Sequence, residues 1–311
     1  MNRTKVLITG GAGFIGTKLA ERLKESNEVT VLDSFHPQIH KGNVNTLDGV
    51  RYVVGSVADK STWEEALSYT PEVIFHLAAE TGTGQSMDEI TRYCDTNIIG
   101  TSIMLELVNT GNYGVKKIIL SSSRAVYGEG ENCVSNLNLC PVSVYGVTKL
   151  TQEQLVRTAS KVPYTILRYQ NVIGDGQSLH NPYTGIICIF STLLEKNKEV
   201  TVFDSGEPTR DFIYVDDVVD ATLVCANSSN TNYETYDVGT GTASSILSIA
   251  HKLKTLLNSN SDILVTDYHR SGDIIHAKAS TKKITDEVGW KSKYSLDYAL
   301  ERFVKWLKER K

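Results

Sequence analysis

Short apolar runs alternate with more polar, helix-forming stretches through the first half of the chain. Val6–Thr9, Val29–Leu32, Val73–His76, Lys117–Leu120 and Thr165–Tyr169 read as strands. Thr17–Lys24, Trp63–Ser68 and Asn97–Asn109, lying between them, read as helices. Such alternation predicts a parallel sheet with helices on both faces. After Asn171 the rhythm loosens, and Gly174, Gly176, Pro182 and Gly185 mark turns. Helices return at Ser245–Leu257 and Leu296–Lys308. The expectation is an α/β chain with a Rossmann-type doubly wound parallel sheet and a smaller α/β substrate domain. The first part takes residues 1–170 and 211–238, the second 171–210 and 239–311. Neither an internal repeat nor a low-complexity segment interrupts this plan.

Composition narrows the classes. Of 311 residues, 41% are hydrophobic and 22% charged, enough apolar material for a sizeable core. Net charge is −4 with no basic block, so nucleic-acid binding has no electrostatic footprint. No apolar run reaches the length of a membrane span. The N-terminus enters a strand-like run directly, without a leader pattern. The five cysteines, Cys94, Cys133, Cys140, Cys188 and Cys225, are odd in number and have no C-x-x-C spacing. Free thiols in a reducing cytoplasm are the expectation, and no metal site is.

Candidate chemistry begins at Gly10-Gly-Ala-Gly13-Phe-Ile-Gly16, between the first strand and the first helix. Glycines at 10, 13 and 16 suit a tight turn, a close approach to a pyrophosphate, and helix–strand packing. The diphosphate charge then sits at a helix N-terminus. Asp33 ends the second strand, placed to accept hydrogen bonds from a ribose diol and to repel a 2′-phosphate. These features together predict NAD rather than NADP.

Tyr145-Gly-Val-Thr-Lys149 places a phenol and an ammonium on one face of a helix. Alone, that pair is ordinary helix surface. A free phenol ionises at about pH 10, and a nearby cation shifts it toward ionisation. The strand beginning at Lys117 ends in Ser121-Ser-Ser123-Arg-Ala-Val-Tyr-Gly128, where a doubly wound fold binds ligands. Ser123 is thereby placed to share a substrate hydroxyl with Tyr145.

Glycine loop, Asp33, Ser123, Tyr145 and Lys149, in this order, resemble the extended short-chain dehydrogenase/reductase family and its NAD-dependent epimerase/dehydratase branch. His76-Leu-Ala-Ala79, Asn97, Arg168-Tyr-Gln-Asn171 and Arg210-Asp-Phe-Ile-Tyr-Val-Asp-Asp217 also match it. Four further segments look like the dTDP-L-rhamnose 4-epimerase group of nucleotide-sugar epimerases. They are Leu32–His40, Ala79–Met87, Ser122–Gly130 and Gln170–Gly185. Three departures stand out. Glu129–Pro141 is shorter than that group's cysteine-containing insertion, Ser56 replaces the usual aspartate beside adenine, and Ser271 stands where proline is more common.

The resemblance implies roles. Tyr145 takes the proton of a sugar hydroxyl, Ser123 hydrogen-bonds that oxygen, and Lys149 binds the nicotinamide ribose and lowers the Tyr145 pKa. Phe14, Ile15, Ser34, Ser56, Val57, Leu77, Ala78, Ala79, Thr81, Asn97, Ser121, Tyr169 and Val172 join the NAD site. Thr83 and Ser86, with Glu80, His180, Asn181 and Tyr183, are placed to line the sugar pocket. Asn171, Arg210 and Arg270 approach the diphosphate–nucleoside portion. Family members that dehydrate sugars carry Asp-Glu after the catalytic hydroxyl residue, whereas this chain has Arg124-Ala125. That argues against a 4,6-dehydratase, and the resemblance implies a C4 epimerase. A 4-keto-sugar reductase and a UDP-sugar 4-epimerase are the alternatives. A homodimer through the helices from Asn97 and Tyr145 is implied as well.

Overall fold

The structure, a computed structural model, describes residues 3–41, 46–129, 139–179, 181, 183, 185–269 and 274–310. His180, Arg270, Ser271 and Cys133 therefore lie outside the described residues.

Seven parallel strands form the central sheet: β1 (Thr4–Thr9), β2 (Asn27–Asp33), β3 (Arg51–Val54), β4 (Val73–His76), β5 (Lys117–Ser123), β6 (Tyr164–Tyr169) and β10 (Glu234–Val238). Their order is β10-β6-β5-β4-β1-β2-β3, so the winding reverses between β1 and β4. In such a sheet ligands bind outside the carboxyl ends of the strands, at this reversal. Successive side chains of one strand face opposite layers. Val6 and Ile8 of β1 pack in one apolar core while Leu7 packs in the other. Both faces are thus covered, which is why these strands read as continuous apolar runs.

The described helices are α1 (Phe14–Leu23), α2 (Pro37–His40), α3 (Lys60–Ser68), α4 (Thr83–Ser86), α5 (Ile90–Tyr93), α6 (Gly100–Val108), α7 (Val144–Ala159), α8 (Ile186–Glu195), α9 (Val215–Asn227), α10 (Ile246–Leu257), α11 (Lys282–Val288) and α12 (Leu296–Glu309). A π-helical stretch, Cys94–Ile99, joins α5 to α6, so the helix expected over Asn97–Asn109 starts earlier and changes pitch. Two strands of the central sheet escaped the hydrophobic pattern. β3 is a four-residue edge strand with Val53 alone fully inside, and β10 begins on polar residues.

A second layer is built from β7 (Asn171–Ile173), β9 (Thr209–Tyr214) and β11 (Ala243–Ser245), and from β8 (Val200–Val202) paired with β12 (Ile263–Val265). Its own core gathers Ile187, Phe190, Phe212, Leu253 and Phe303 from α8, β9, α10 and α12. The boundary expected at residue 211 falls inside β9. The strand alternates, so Phe212 and Tyr214 enter this second core while Ile213 enters the first. Among the described residues no helix is long and apolar enough to cross a membrane.

Candidate active site

A cavity of about 1890 Å³ runs between the two layers along the carboxyl ends of β1, β2, β4, β5 and β6. One end is the β1–α1 turn. Gly10 has φ +68°, and a Cβ there would lie 2.8 Å from the Ala78 backbone. A Cβ on Gly16 would lie 2.2 Å from the Gly10 carbonyl, so only glycine lets α1 start this close to the strand. Gly13 caps α1 with no side-chain hydrogen bond, leaving the first helical N–H groups facing the cavity. That is an anion cradle on a ten-residue helix, and it fits the diphosphate of NAD.

Asp33 is held at the end of β2. Its Oδ2 accepts from Ala12 N (3.0 Å) and its Oδ1 from Phe35 N (2.8 Å). The remaining lone pairs of this nearly buried carboxylate suit a ribose diol. Ser34, Ser56 and Val57 line the cavity nearby. Phe14, Ile15, Leu77, Ala78, Ala79 and Thr81 continue its wall, and Ser121, Tyr169 and Val172 close the far side.

The residues expected to react, Ser123, Tyr145 and Lys149, come together where β5 ends. α7 begins at Val144 because Ser143 caps it, its Oγ accepting from Gly146 N at 3.1 Å. Gly146 was not singled out in the sequence, yet a Cβ there would come 2.5 Å from the Ala125 carbonyl. Glycine thus lets the helix press against the turn after Ser123. Tyr145 hydrogen-bonds Ser123, and the Ser123 Oγ also accepts from Ala125 N at 3.2 Å. One turn along α7, the Lys149 Nζ donates to the Ser121 carbonyl at 2.9 Å.

Burial raises the Tyr145 phenol above its ordinary value, with the Ser123 hydrogen bond and the Arg124 charge opposing. The direction is opposite to the lowering expected from Lys149, because burial outweighs the effects that favour the phenolate. Burial also pushes Lys149 down to about 7, opposed by Glu153. His76, behind the site, is pushed down to about 3 by burial and by Lys149. It is neutral and holds Thr9 Oγ1 (2.8 Å) and Thr101 Oγ1 (3.0 Å).

Other predicted residues separate into three sets. Thr83, Asn171 and Arg210 line the cavity. Asn171 Oδ1 is buried with no partner among the described residues, an orphaned acceptor that suits a ligand donor. The Arg210 guanidinium donates to the carbonyls of Thr209, Ile274 and Ile275, so it also fixes the segment beyond residue 273. Asn97 and Ser86 do not line the cavity. Asn97, expected at the cofactor, is fully buried; its Oδ1 accepts from Glu80 N (2.8 Å) and its Nδ2 donates to Thr148 Oγ1 (2.9 Å). It ties the loop after β4 to α7. Ser86, expected at the sugar, is fully buried and donates to the Thr83 carbonyl. Both spend their polar atoms inside the protein. Arg270 lies outside the described residues.

The sequence reading also missed Tyr93, fully buried, whose hydroxyl donates to the Thr81 and Gly82 carbonyls and whose ring meets Tyr145 edge-on at 6.4 Å. Among the described residues no cluster of side chains could hold a metal ion.

A model of the NAD-dependent epimerase/dehydratase family matches residues 6–239. The chain belongs to that family. A dTDP-L-rhamnose 4-epimerase of Burkholderia thailandensis is 36% identical, over 97% of this chain and 94% of its own length. A UDP-glucose 4-epimerase of Thermotoga maritima, solved with UDP-glucose, superposes with a TM-score of 0.87 at 30% identity over 99% of both chains. One from Thermus thermophilus, solved with NAD, superposes at 0.87 with 26% identity over 98% of this chain and 99% of its own. As a member of this family the chain is an NAD-dependent enzyme.

Proposed function

We propose that the protein inverts C4 of a nucleoside-diphosphate sugar, with a dTDP-L-rhamnose-like 6-deoxysugar as first candidate. The observation that carries this is the Ser123–Tyr145–Lys149 cluster with Arg124, a cation, where a dehydratase would hold a carboxylate. Expelling water across C5 and C6 needs an acid–base carboxyl pair there, while hydride and proton transfer does not. NAD, when bound in this cradle, would supply hydride acceptance and donation at the same sugar carbon. Tyr145 takes the C4 hydroxyl proton and gives it back, and Ser123 orients that oxygen. Lys149 holds the nicotinamide ribose. Asn171 and Arg210 keep the diphosphate–nucleoside portion in place while the 4-keto sugar turns. The first relative's name supports the sugar assignment.

We read the assembly as a homodimer through the helix from Asn97 (the end of the π-helical stretch and α6) and α7, supported by the exposed Ile99 at the end of that stretch and Val147 on α7. The free thiols of Cys94, Cys140 and Cys225 support a cytoplasmic location. The separate apolar cores support a cofactor part and a sugar part.

The test is purified protein with a panel of dTDP-, UDP-, GDP- and CDP-sugars and no added cofactor. Epimeric product without net reduced nicotinamide supports the reading. Turnover requiring stoichiometric NADH or NADPH overturns it in favour of a 4-keto-sugar reductase. Turnover of UDP-sugars alone moves the substrate to that class.

A further inference from the structure

An amide cluster outside the reacting residues joins the two walls of the cavity. Gln38, on α2, donates from Nε2 to Gln85 Oε1 and to Asn181 Oδ1, each at 2.9 Å. Gln85 Nε2 returns a bond to Gln38 Oε1 at 3.2 Å, and Arg92 donates to the same oxygen at 3.2 Å. Gln85 and Asn181 are 2% and 6% exposed, so the cluster is built into the protein. Beside it, Ser178 Oγ donates to the Ile39 carbonyl at 3.3 Å. Gln38 and Asn181 both line the cavity, one from the cofactor layer and one from the segment after β7.

These bonds complete a closed circuit. Ala12 N binds Asp33, and the chain runs from Asp33 to Gln38. Gln38 binds Asn181, and the chain runs back to Asp175. Asp175 Oδ2 accepts from Lys18 Nζ at 2.6 Å, and α1 leads from Lys18 back to Ala12. The circuit takes in the glycine loop, Asp33 and Asp175, all of which line the same cavity. Two of its links join one wall to the other, the Lys18–Asp175 pair and the Gln38–Asn181 bond, with the Ser178–Ile39 bond crossing beside the second.

We propose that Gln38 is a positioning residue for NAD, whose amide clasps Asn181 across the cavity and must let go before the cofactor leaves. An enzyme that returns its own hydride has a use for such a clasp, because a cofactor released in its reduced form would strand the ketone. The inference needs NAD in the cradle and does not depend on which sugar is turned over.

The experiment loads the full chain with NAD and follows exchange of the bound cofactor against excess isotope-labelled NAD. Gln38→Ala and Asn181→Ala should each speed exchange roughly fivefold or more, the rate equivalent of losing one neutral hydrogen bond. The double variant should be no faster than the faster single, since both remove one link. Asn181→Asp keeps the accepting oxygen and should exchange at the parent rate. Asn181 cannot simply flip its amide, because Oδ1 also accepts from Tyr183 N at 3.0 Å. Should Gln38→Ala not fold, Gln38→Glu keeps the length and removes the N–H donors. Parent-rate exchange in the Gln38 variant, or effects that multiply in the double variant, overturns the clasp even if melting temperature falls. Sugar epimerisation does not enter this readout, so its failure and failure of the functional reading are distinguishable.

Discussion

Glu153 and Arg168 form an ion pair inside the protein: Oε2 lies 2.6 Å from one guanidinium nitrogen, and the side chains are 0% and 2% exposed. Glu153 sits one helical turn beyond Lys149 on α7, and Arg168 sits on β6. Ser122 Oγ on β5 donates to the same carboxylate at 2.6 Å. The pair therefore sets the height of α7 over the strand ends that carry Ser121 and Ser123. Removing the carboxylate takes from the buried Arg168 its ionic partner on α7. Glu153→Ala should lose about 3–5 kcal/mol of stability, measured by denaturant unfolding. A change below about 1 kcal/mol, the scale of an exposed pair, would show that water replaces the carboxylate.

The glycine loop supports a second prediction. A Cβ at residue 16 would sit 2.2 Å from the Gly10 carbonyl, and backbone has nowhere to yield without moving α1 off β1. Gly16→Ala should cost about 1–3 kcal/mol by overpacking and weaken NAD binding. Calorimetric titration with NAD checks this. Parent-like affinity would mean that the α1 N-terminus tolerates displacement and does not hold the diphosphate.

What was legible before the fold was known follows from chain distance. The glycines, Asp33 and the Tyr145–Lys149 pair carry their signal within one turn or one strand end, where backbone geometry is local. Ser123 and Tyr145 lie further apart, but the strand-to-helix order placed them on the same rim. Asn97 and Ser86 point away from the cavity, and polarity near a site says nothing about direction. Asn97 turns inward from the π-helical stretch to Thr148, and Ser86 back to the Thr83 carbonyl. The Gln38–Asn181 contact spans 143 positions and has no local pattern. Likewise β3 and β10 are strands because neighbours pair with them, not because their residues alternate.

Tyr145→Phe removes only the hydroxyl that touches Ser123. Proton transfer by a positioned side chain contributes about 10²–10⁴ in rate. The variant should lose kcat by that order while keeping its bound NAD, since the ring still fills the cavity wall. Steady-state turnover, together with cofactor released on denaturation, gives both numbers. Retained turnover would remove Tyr145 from acid–base duty, and lost NAD would make it a cofactor ligand first.

The last prediction concerns pH. Tyr145 accepts a proton only as phenolate, and burial holds its pKa above the ordinary value. The reactive form therefore becomes more populated as pH rises, so kcat/KM should climb across roughly pH 6 to pH 9. Arg124 opposes the burial effect because its positive charge favours the phenolate. Taking that charge away in Arg124→Ala should move the rising limb to higher pH and lower the rate most at the acidic end. Arg124→Lys keeps a cation and should stay closer to the parent curve. A limb that moves to lower pH in Arg124→Ala, or does not move, would place the titrating base somewhere other than Tyr145.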